Sequence, residues 1–404
     1  MNVFSKVTLR TLGKNRVRTL VTIIGIILSA AMITAVTTSI SSLQKYLVDV
    51  SIERSGNWHG VVYNLPKAEV EALQQESEVK AAASLQILGY ASLESGRNSY
   101  KPYLFVAGMS ENFPSIMPVN LTSGRMPQNP SEILLPTHLR SNGGVNHVIG
   151  DSLSLAIGNR VAEGNVLTQN TGYLDGEQGI TETLEVGSQR TYTVVGFYER
   201  PTFEDYSAPG FTALTVADES DQDPYEVYIH LKSPRNVYSF LEERFTQYGS
   251  STNSDLLRFI GASNERSFNA VLYGLAAVLI ALIMFGSISL IYNAFSISVS
   301  ERTMQFGLLS SIGATRRQLM QSVLYEAIFL SLVGIPLGIL AGIAGIAVTF
   351  SVASEMFKTF LFFESSAMLR LFVSWPALIA ALIVALATVM ISAYLPAKRA
   401  VKVS

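Results

Sequence analysis

The sequence predicts an α+β membrane protein in which four transmembrane helices carry a large mixed α/β domain between the first and second helices. Hydrophobic residues make up 49% of the 404 residues and charged residues only 15%. The apolar residues are concentrated in four runs of 21 to 25 residues: Leu20–Ile40, Val271–Phe295, Ile328–Val352 and Leu371–Leu395. Such a run crosses about 30 Å of hydrocarbon at about 1.5 Å per residue. Charged flanks favour membrane helices over buried helices of a large soluble protein.

Basic residues in three short segments predict the orientation of these helices. They precede the first run, separate the second from the third, and follow the fourth: Lys6, Arg10, Lys14, Arg16 and Arg18, then Arg302, Arg316 and Arg317, then Lys398, Arg399 and Lys402. Because Lys and Arg accumulate on the cytoplasmic side, both termini are expected there. The predicted membrane helices are 20–40, 268–296, 321–352 and 371–395, with a short outer loop at 353–370 and a cytoplasmic tail at 396–404.

The first segment, 1–19, is expected to be an interfacial helix on the inner leaflet. Lys6, Arg10 and Lys14 follow i, i+4, i+8 spacing and share one helical face. A basic topology signal without fixed structure is the alternative for the first few residues. The basic start followed by an apolar run also resembles a signal peptide, although the run is longer than such peptides usually have.

The region 41–267 is expected to be an extracytoplasmic domain of different character. It holds roughly 16 basic and 27 acidic residues, which argues against nucleic acid as a partner. The chain has no cysteine, so no disulfide stabilises this domain, and about 220 residues can bury a core without one. A bacterial origin is the simpler interpretation of that composition.

Local patterns predict a mixed α/β domain in two lobes, or in one lobe with an inserted sheet. Expected helices are a stalk at Ser39–Val50, a helix within Leu65–Val79 that starts after Pro66, and a helix at Ser233–Tyr248. Strands are expected at Val79–Leu93, Lys101–Met109 and the three segments RTYTVVGFYERP, FTALTVAD and YEVYIHL. The stretch Gly158–Gly179 is expected to be a long loop or hairpin tip.

Motifs for catalysis and metal binding are missing from the sequence. There is no G-x-x-x-x-G-K-[ST] phosphate loop, no cysteine nucleophile and no G-x-S-x-G elbow. The four histidines are expected to be ordinary surface residues rather than metal ligands: His59, His138, His147 and His230. We therefore expect a non-catalytic chain without a cofactor of its own. Glu326, beside the third apolar run, is expected to pair with a neighbouring arginine or to face water.

A polar break at Asn293–Gly342 interrupts the apolar sequence and predicts a helical insert at a membrane face. Met304, Leu308 and Ile312 repeat at i, i+4, i+8 with Phe306 and Leu309 adjacent, and Glu301, Arg302 and Arg316 edge this stripe. The pattern is consistent with a knob that docks into a cytoplasmic partner. The alternative is an amphipathic helix that rests on the inner leaflet, and periodicity alone slightly favours it.

The third apolar run carries small residues at regular spacing. Gly334, Gly338 and Gly342 follow small-xxx-small spacing, which lets two membrane helices approach closely. Pro336 lies among them and is tolerable where neighbouring helices satisfy the freed carbonyl. Simple helix packing is favoured over a gating role.

Four parts of the chain resemble the FtsX/MacB-like family of ABC transporter permeases. The most specific is NAFSISVSERTMQFGLLSSIGATRRQLMQSVLYEAIFLSLVGIPLGILAGI, which looks like the carboxy-terminal membrane signature of the family. LRTLGKNRVRTLVTIIGIILSAAM resembles its amino-terminal span. LTSGRMPQNPSEILLP, IGDSLSLAIGN and TYTVVGFYERP resemble its MacB-like extracytoplasmic core, and YLPAKRAVKVS resembles its tail.

The resemblance implies a permease subunit that dimerises above two ATPase subunits, which bind ATP and Mg. It makes 297–320 a coupling segment, with matching positions at Glu301, Arg302, Gly307, Leu308, Leu309, Gly313, Ala314, Arg316 and Arg317. The chain has no fused ATPase, and its end at Ser404 is consistent with a full permease or with the first half of a longer one.

The expected function is ATP-driven export or mechanotransmission, acting on a peptide, lipopeptide or lipoprotein. The expected partners are an ABC ATPase, a second permease copy or half, membrane lipid and an extracytoplasmic accessory protein. The alternative function is a non-transporting regulator of a cell-wall hydrolase or of antimicrobial-peptide sensing.

Overall fold

The computed structural model describes residues 16–93, 95–176, 179–218, 224–265, 267–301, 303–311, 313–360 and 368–403. The chain divides into two compact units. The helical unit comprises Met1–Leu47 and Glu265–Ser404, and the sheet unit comprises Val48–Asn264. The predicted interfacial helix at 1–19 lies almost wholly outside the described residues.

The helical unit is built from long apolar helices. These are α1 (Arg16–Ser55), α7 (Ser267–Glu301), α8 (Thr303–Ser311), α9 (Arg316–Phe360) and α10 (Trp375–Val403). Four of the described helices, all except α8, are long and apolar enough to cross a membrane. The prediction of four such helices, with a mixed α/β domain between the first and second, is confirmed.

One apolar cluster joins the four long helices. Ala30 of α1, Phe295 of α7, Val323 of α9 and Val389 of α10 are all within 1% of complete burial and belong to it. Many other apolar side chains of these helices are exposed, as expected where hydrocarbon rather than water is the solvent. The serine Ser42 adds a polar contact, because its hydroxyl both accepts from the Phe372 amide at 2.9 Å and donates to the Phe372 carbonyl at 3.2 Å.

Two helices extend beyond the predicted spans. The predicted stalk at Ser39–Val50 is helical, and α1 continues through it to Ser55. The predicted outer loop at 353–370 is wrong in its first part, because α9 continues to Phe360. The predicted ends of these helices follow from the length and polarity of the apolar runs. Backbone hydrogen bonding can continue a helix past its apolar part where no Pro or Gly stops it.

The sheet unit contains an eleven-stranded sheet with short helices. The strands are β1 (Gly60–Leu65), β2 (Val79–Ser92), β3 (Tyr103–Met109), β4 (Leu121–Gly124), β5 (Glu132–Pro136), β6 (Ser152–Ala162), β7 (Asn165–Leu167), β8 (Thr183–Tyr198), β9 (Gly210–Val216), β10 (Tyr225–Leu231) and β11 (Ser250–Thr252). The helices are α2 (Lys67–Gln74), α3 (Phe113–Ile116), α4 (His138–Ser141), α5 (Val237–Arg244) and α6 (Ser254–Phe259), with a 3-10 turn at Pro234–Asn236.

The strand order is β11-β1-β10-β2-β3-β9-β5-β8-β6-β7, and β4 pairs with β8. The pairs β3–β9 and β5–β8 are parallel, and the other neighbours are antiparallel. The sequence leaves open two lobes or one lobe with an inserted sheet, and the described strands of this unit all belong to one sheet. Strands that are far apart in the sequence pair with one another and form this single sheet.

Two glycines explain why the predicted loop at Gly158–Gly179 begins too early. Gly158 lies inside β6, and β2 crosses it at Tyr90. A Cβ at Gly89, which has φ of +125°, would lie 2.6 Å from the carbonyl oxygen of Gly158. A glycine within a strand often marks such a close backbone approach, whereas composition alone suggests a turn.

The rest of the predicted loop at Gly158–Gly179 is held by the buried ion pair between Arg160 and Glu182. Arg160 and Glu182 have fully buried side chains, and the guanidinium binds both carboxylate oxygens at 2.6 and 2.7 Å. Arg160 also donates to the carbonyls of Thr168, Thr171 and Gly172. A charge-assisted, bidentate pair with every donor occupied is the form in which a buried arginine is tolerated.

The prediction that the histidines are ordinary surface residues is wrong at two positions. His59 is 3% exposed, and burial, with the charges of His230 and Lys80, lowers its pKa to about 4. The side chain of His138 is 14% exposed and lies 2.7 Å from the buried carboxylate of Glu204. Both contacts join distant parts of the chain, which local sequence does not reveal. No group of three potential metal-binding side chains is present in the described ranges.

Candidate coupling segment and helix interface

Within the polar break, α7 ends at Glu301, the short helix α8 spans Thr303–Ser311, and α9 begins at Arg316. Gly313 ends this region with φ of +96°, and its amide donates to the Ser310 carbonyl at 3.1 Å. Glycine is favoured in this left-handed conformation just after a helix because it has no Cβ. An added Cβ at Gly313 would meet nothing within 4 Å, so the backbone conformation, and not packing, requires glycine there.

A capping box starts α9 immediately afterwards. The Thr315 hydroxyl accepts from the Gln318 amide at 3.4 Å, and the Gln318 side chain accepts from the Thr315 amide at 2.8 Å. This reciprocal pair satisfies two of the amides that a helix start leaves without partners. The GATRRQ motif therefore stops one helix and starts the next within three residues.

The helix α8 has one buried and one exposed apolar side. Phe306 is 1% exposed and belongs to the apolar cluster of the helical unit. Met304 and Leu308, one turn apart, are 81% and 65% exposed. Gly307 lies between them, and a Cβ added there would meet nothing within 4 Å. Phe306 thus fixes α8 to the helical unit while Met304, Gly307 and Leu308 form an open surface.

Two arginines lie in the first turn of α9. Arg316 and Arg317 are exposed, and neither side chain has an ion pair or hydrogen bond to another described residue. The N-terminus of a helix carries partial positive charge, so cations there are electrostatically unfavourable. The two arginines therefore do not stabilise the start of α9, and they present positive charge to the surroundings.

Glu326 connects the helices on either side of the insert. It is 3% exposed, and the Ser298 hydroxyl of α7 donates to its Oε1 at 3.1 Å. The expectation that Glu326 faces water is wrong because α7 and α9 pack over it. The contact joins a point just before Glu301 to the third turn of α9, so it holds the two ends of the insert together.

The three spaced glycines lie where α9 contacts α1. A Cβ at Gly338 would lie 2.6 Å from the Cβ of Ala30, and a Cβ at Gly342 would lie 2.5 Å from the carbonyl oxygen of Ala31. Gly334 meets α1 in the same way. Any larger residue would force the helices apart, so the glycines set their separation.

Pro336 does not take part in that contact. It lies inside α9, which continues across it, and its side chain is exposed. Of these four positions, the three glycines make the close approach to α1.

Comparison with protein families identifies the kind of protein to which this chain belongs. Residues 19–247 match the MacB-like periplasmic core domain, and residues 277–404 match the FtsX-like permease C-terminal domain. The first match alone covers more than half of the chain. The chain is an ABC transporter permease of the MacB/FtsX type. The permease is therefore a membrane protein.

Two relatives show how the permease compares with whole proteins. The uncharacterized ABC transporter permease YvrN of Bacillus subtilis (strain 168) is 24% identical over 98% of this chain and 96% of its own length. The macrolide export ATP-binding/permease protein MacB of Rhodopirellula baltica is 24% identical over 83% of this chain. The permease spans 54% of that MacB protein.

Among solved structures, the periplasmic region of MacB from Actinobacillus actinomycetemcomitans aligns with 53% of this chain and 97% of its own. The identity is 11% and the TM-score is 0.31. A score at that level adds nothing to the assignment, which rests on the sequence matches.

The predicted coupling positions lie on α7, α8, α9 and the segment between α8 and α9. Gly307, Leu308, Arg316 and Arg317 are exposed, and Glu301 ends α7. Ala314 is half-buried against the apolar cluster, so it supports the segment from within. Arg302 and Ile312 lie outside the described residues, as does the side chain of Leu309.

Sequence reasoning missed four residues that position this segment. The sequence pattern places Phe306 adjacent to the stripe of Met304 and Leu308, whereas the structure buries Phe306 and exposes the other two. The T-x-x-Q spacing of Thr315 and Gln318 is a recognisable capping signal in the sequence. Ser298 carried no local signal, because its partner Glu326 is 28 residues away.

Proposed function

We propose that this permease couples a separate ATPase to export or to mechanotransmission across the cytoplasmic membrane, and that residues Glu301–Arg317 are the docking site for that ATPase. In this proposal the ATPase binds ATP and Mg, and the permease carries no catalytic group. Its cargo is a peptide, lipopeptide or lipoprotein. Both termini and the docking site are cytoplasmic, and the sheet unit is extracytoplasmic.

The observation that carries the proposal is the two-sided character of α8. Phe306 is fixed in the helical unit, while Met304 and Leu308 are among its most exposed apolar side chains. Apolar side chains one turn apart on a fixed helix are the form in which a helix fits a groove of a partner protein. Fixing α8 through Phe306 also lets a displacement of α8 reach α7, α9 and α10, whose side chains surround Phe306 in the apolar cluster.

A separate ATPase is supported by the sequence and by one relative. The 404 residues contain no phosphate-loop motif. The Rhodopirellula baltica relative is named as a combined ATP-binding and permease protein, and this chain spans 54% of it. We propose that the corresponding ATP-binding part is supplied by another chain here. A second permease copy or half, membrane lipid and an extracytoplasmic accessory protein complete the proposed assembly.

The test is co-purification with a candidate ABC ATPase, using the full chain in nanodiscs. Met304→Asp and Leu308→Asp place a charge on the exposed side of α8, and Arg316→Glu with Arg317→Glu reverses the adjacent charge. Each change is expected to weaken the complex about tenfold or more, as for central interface residues. ATPase stimulation by the permease is expected to fall with it.

Matched controls separate docking from general damage. Lys398→Glu reverses an exposed charge outside the docking site, and Val186→Asp adds a charge at an exposed apolar position of the sheet unit. Both are expected to leave the complex intact. Retention of full binding by Met304→Asp, Leu308→Asp and the arginine double variant would show that α8 rests on lipid and does not dock.

A further inference from the structure

The sheet unit has a cavity of about 560 Å³ that no step of the proposed coupling uses. It lies between the ends of β4, β5 and β8 and the segment that follows α4. Its principal wall residues are Leu139, Arg140, Val145, Val148, Ile149 and Phe197. This volume is within the range of pockets that bind one small ligand, about 300–1,000 Å³.

The cavity wall includes two exposed aliphatic side chains. Val148 and Ile149 are consecutive and are 65% and 51% exposed, while Leu139 is buried and Phe197 is half-buried beneath. Apolar side chains that line a cavity are a feature of small-molecule binding sites. The apolar part of a ligand is therefore expected to lie along Val148 and Ile149.

A positively charged side chain, Arg140, lines the cavity, although the surrounding sheet unit is acidic overall. Acidic residues outnumber basic residues in this region by roughly 27 to 16. Arg140 lines the cavity, is exposed, and has no ion pair or side-chain hydrogen bond within the described ranges. The other basic group, His147, lies 3.4 Å from the Asp151 carboxylate, which also accepts from the Val148 amide. Arg140 is thus the cation that a ligand would meet.

We infer that this cavity binds a single-chain anionic amphiphile, with its acyl chain along Val148 and Ile149 and its carboxylate at Arg140. Arginine suits this role because its planar guanidinium binds a carboxylate through two parallel hydrogen bonds. One chain is indicated because the cavity has the volume of a single small-ligand site. The site does not depend on docking of an ATPase, so it stands or falls separately from the proposed function.

The test uses the full chain in nanodiscs of zwitterionic lipid and a palmitate probe with a diazirine on its acyl chain. After irradiation, peptide mass mapping is expected to find label within residues 139–149 and at Phe197. The matched diazirine alcohol, which has the same chain and a neutral head, is expected to label these peptides several-fold less. Arg140→Gln is expected to reduce labelling by palmitate about three- to fivefold, the range of a partly exposed ion pair.

Two paired controls make the result specific. Arg235→Gln removes an exposed arginine outside the cavity, and Val166→Asp adds a carboxylate at a position 63% exposed on β7. Both variants are expected to be labelled by the palmitate probe as strongly as the wild type. Labelling of Ile149→Asp is expected to fall at least tenfold. Equal labelling by acid and alcohol, unchanged labelling in Arg140→Gln, or label confined to the long helices would each overturn the inference. Preferential labelling by a two-chain phosphatidylglycerol probe would overturn it as well.

Discussion

At the scale of single residues, Glu204 shows how the sheet unit tolerates a buried charge. Its side chain is fully buried, and Oε1 accepts hydrogen bonds from Lys101 at 2.6 Å and from His138 at 2.7 Å. Oε2 accepts from the Thr212 amide at 2.7 Å. Burial alone would raise the pKa of Glu204, but the hydrogen bonds and charges of His138 and Lys101 outweigh it and lower the pKa to about 2.

This arrangement predicts a loss of stability in acid. The unperturbed pKa is 4.5 and the folded pKa is about 2. A carboxyl group whose pKa is lowered by folding stabilises the protein fully above the unfolded value, and that contribution disappears as the pH falls through the folded value. The melting temperature of the sheet unit, followed in the full chain, is therefore expected to fall between about pH 4.5 and about pH 2.

The variant Glu204→Gln isolates this effect. It leaves the Lys101 ammonium buried without a charged partner, so a loss of about 3 kcal/mol is expected at neutral pH. Its melting temperature is also expected to depend less on pH below 4.5 than that of the wild type. An acid slope identical to wild type would show that other carboxylates, and not Glu204, control acid unfolding.

Alanine substitutions at Gly307 and Gly313 are expected to change the stability of the permease in opposite directions. Gly307 is within α8 with open space around it, so Gly307→Ala is expected to stabilise the isolated permease by about 0.5–1 kcal/mol. Gly313 has φ of +96°, so Gly313→Ala is expected to destabilise it by about 1 kcal/mol or more. Thermal melting in nanodiscs measures both, and a loss of stability in Gly307→Ala would contradict the open position of that residue.

At the scale of elements, the contact between α1 and α9 depends on glycine at three positions. The added Cβ of Gly338→Ala would lie 2.6 Å from the Ala30 side chain and 2.7 Å from the carbonyl oxygen of Ile27. The helices must separate, and a loss of about 1–3 kcal/mol is expected. Gly345→Ala on the same helix is the control, because its Cβ would meet nothing within 4 Å. Equal melting temperatures of the two variants would mean that α9 does not pack closely on α1.

At the scale of the whole molecule, the absence of cysteine makes the proposed topology directly measurable. Arg235→Cys labels the sheet unit, and Arg317→Cys labels the first turn of α9, both at exposed positions. In intact cells a membrane-impermeant maleimide is expected to react with the first variant alone. The second is expected to react only after the membrane is permeabilised. Reaction of both variants in intact cells would contradict the proposed orientation.

Several features of the fold were predictable from local sequence. Four apolar runs predicted four long helices, because apolar length by itself decides whether a helix suits hydrocarbon. Glycine spacing in the third run predicted a close contact surface, and the GATRRQ motif contains the signals that end α8 and start α9. Alternating and β-branched stretches predicted five of the eleven described strands of the sheet unit, although not their arrangement in one sheet.

By itself, the sequence determined the family, the four apolar helices, the exposed basic turn at Arg316 and Arg317, and the lack of a phosphate loop. Only the tertiary structure decided which side of α8 is buried, that α1 is the partner of Gly338, and that residues 101, 138 and 204 share one buried site. The physical reason is that composition and periodicity are local properties of the chain. Burial and pKa depend on neighbours that packing brings together from distant segments.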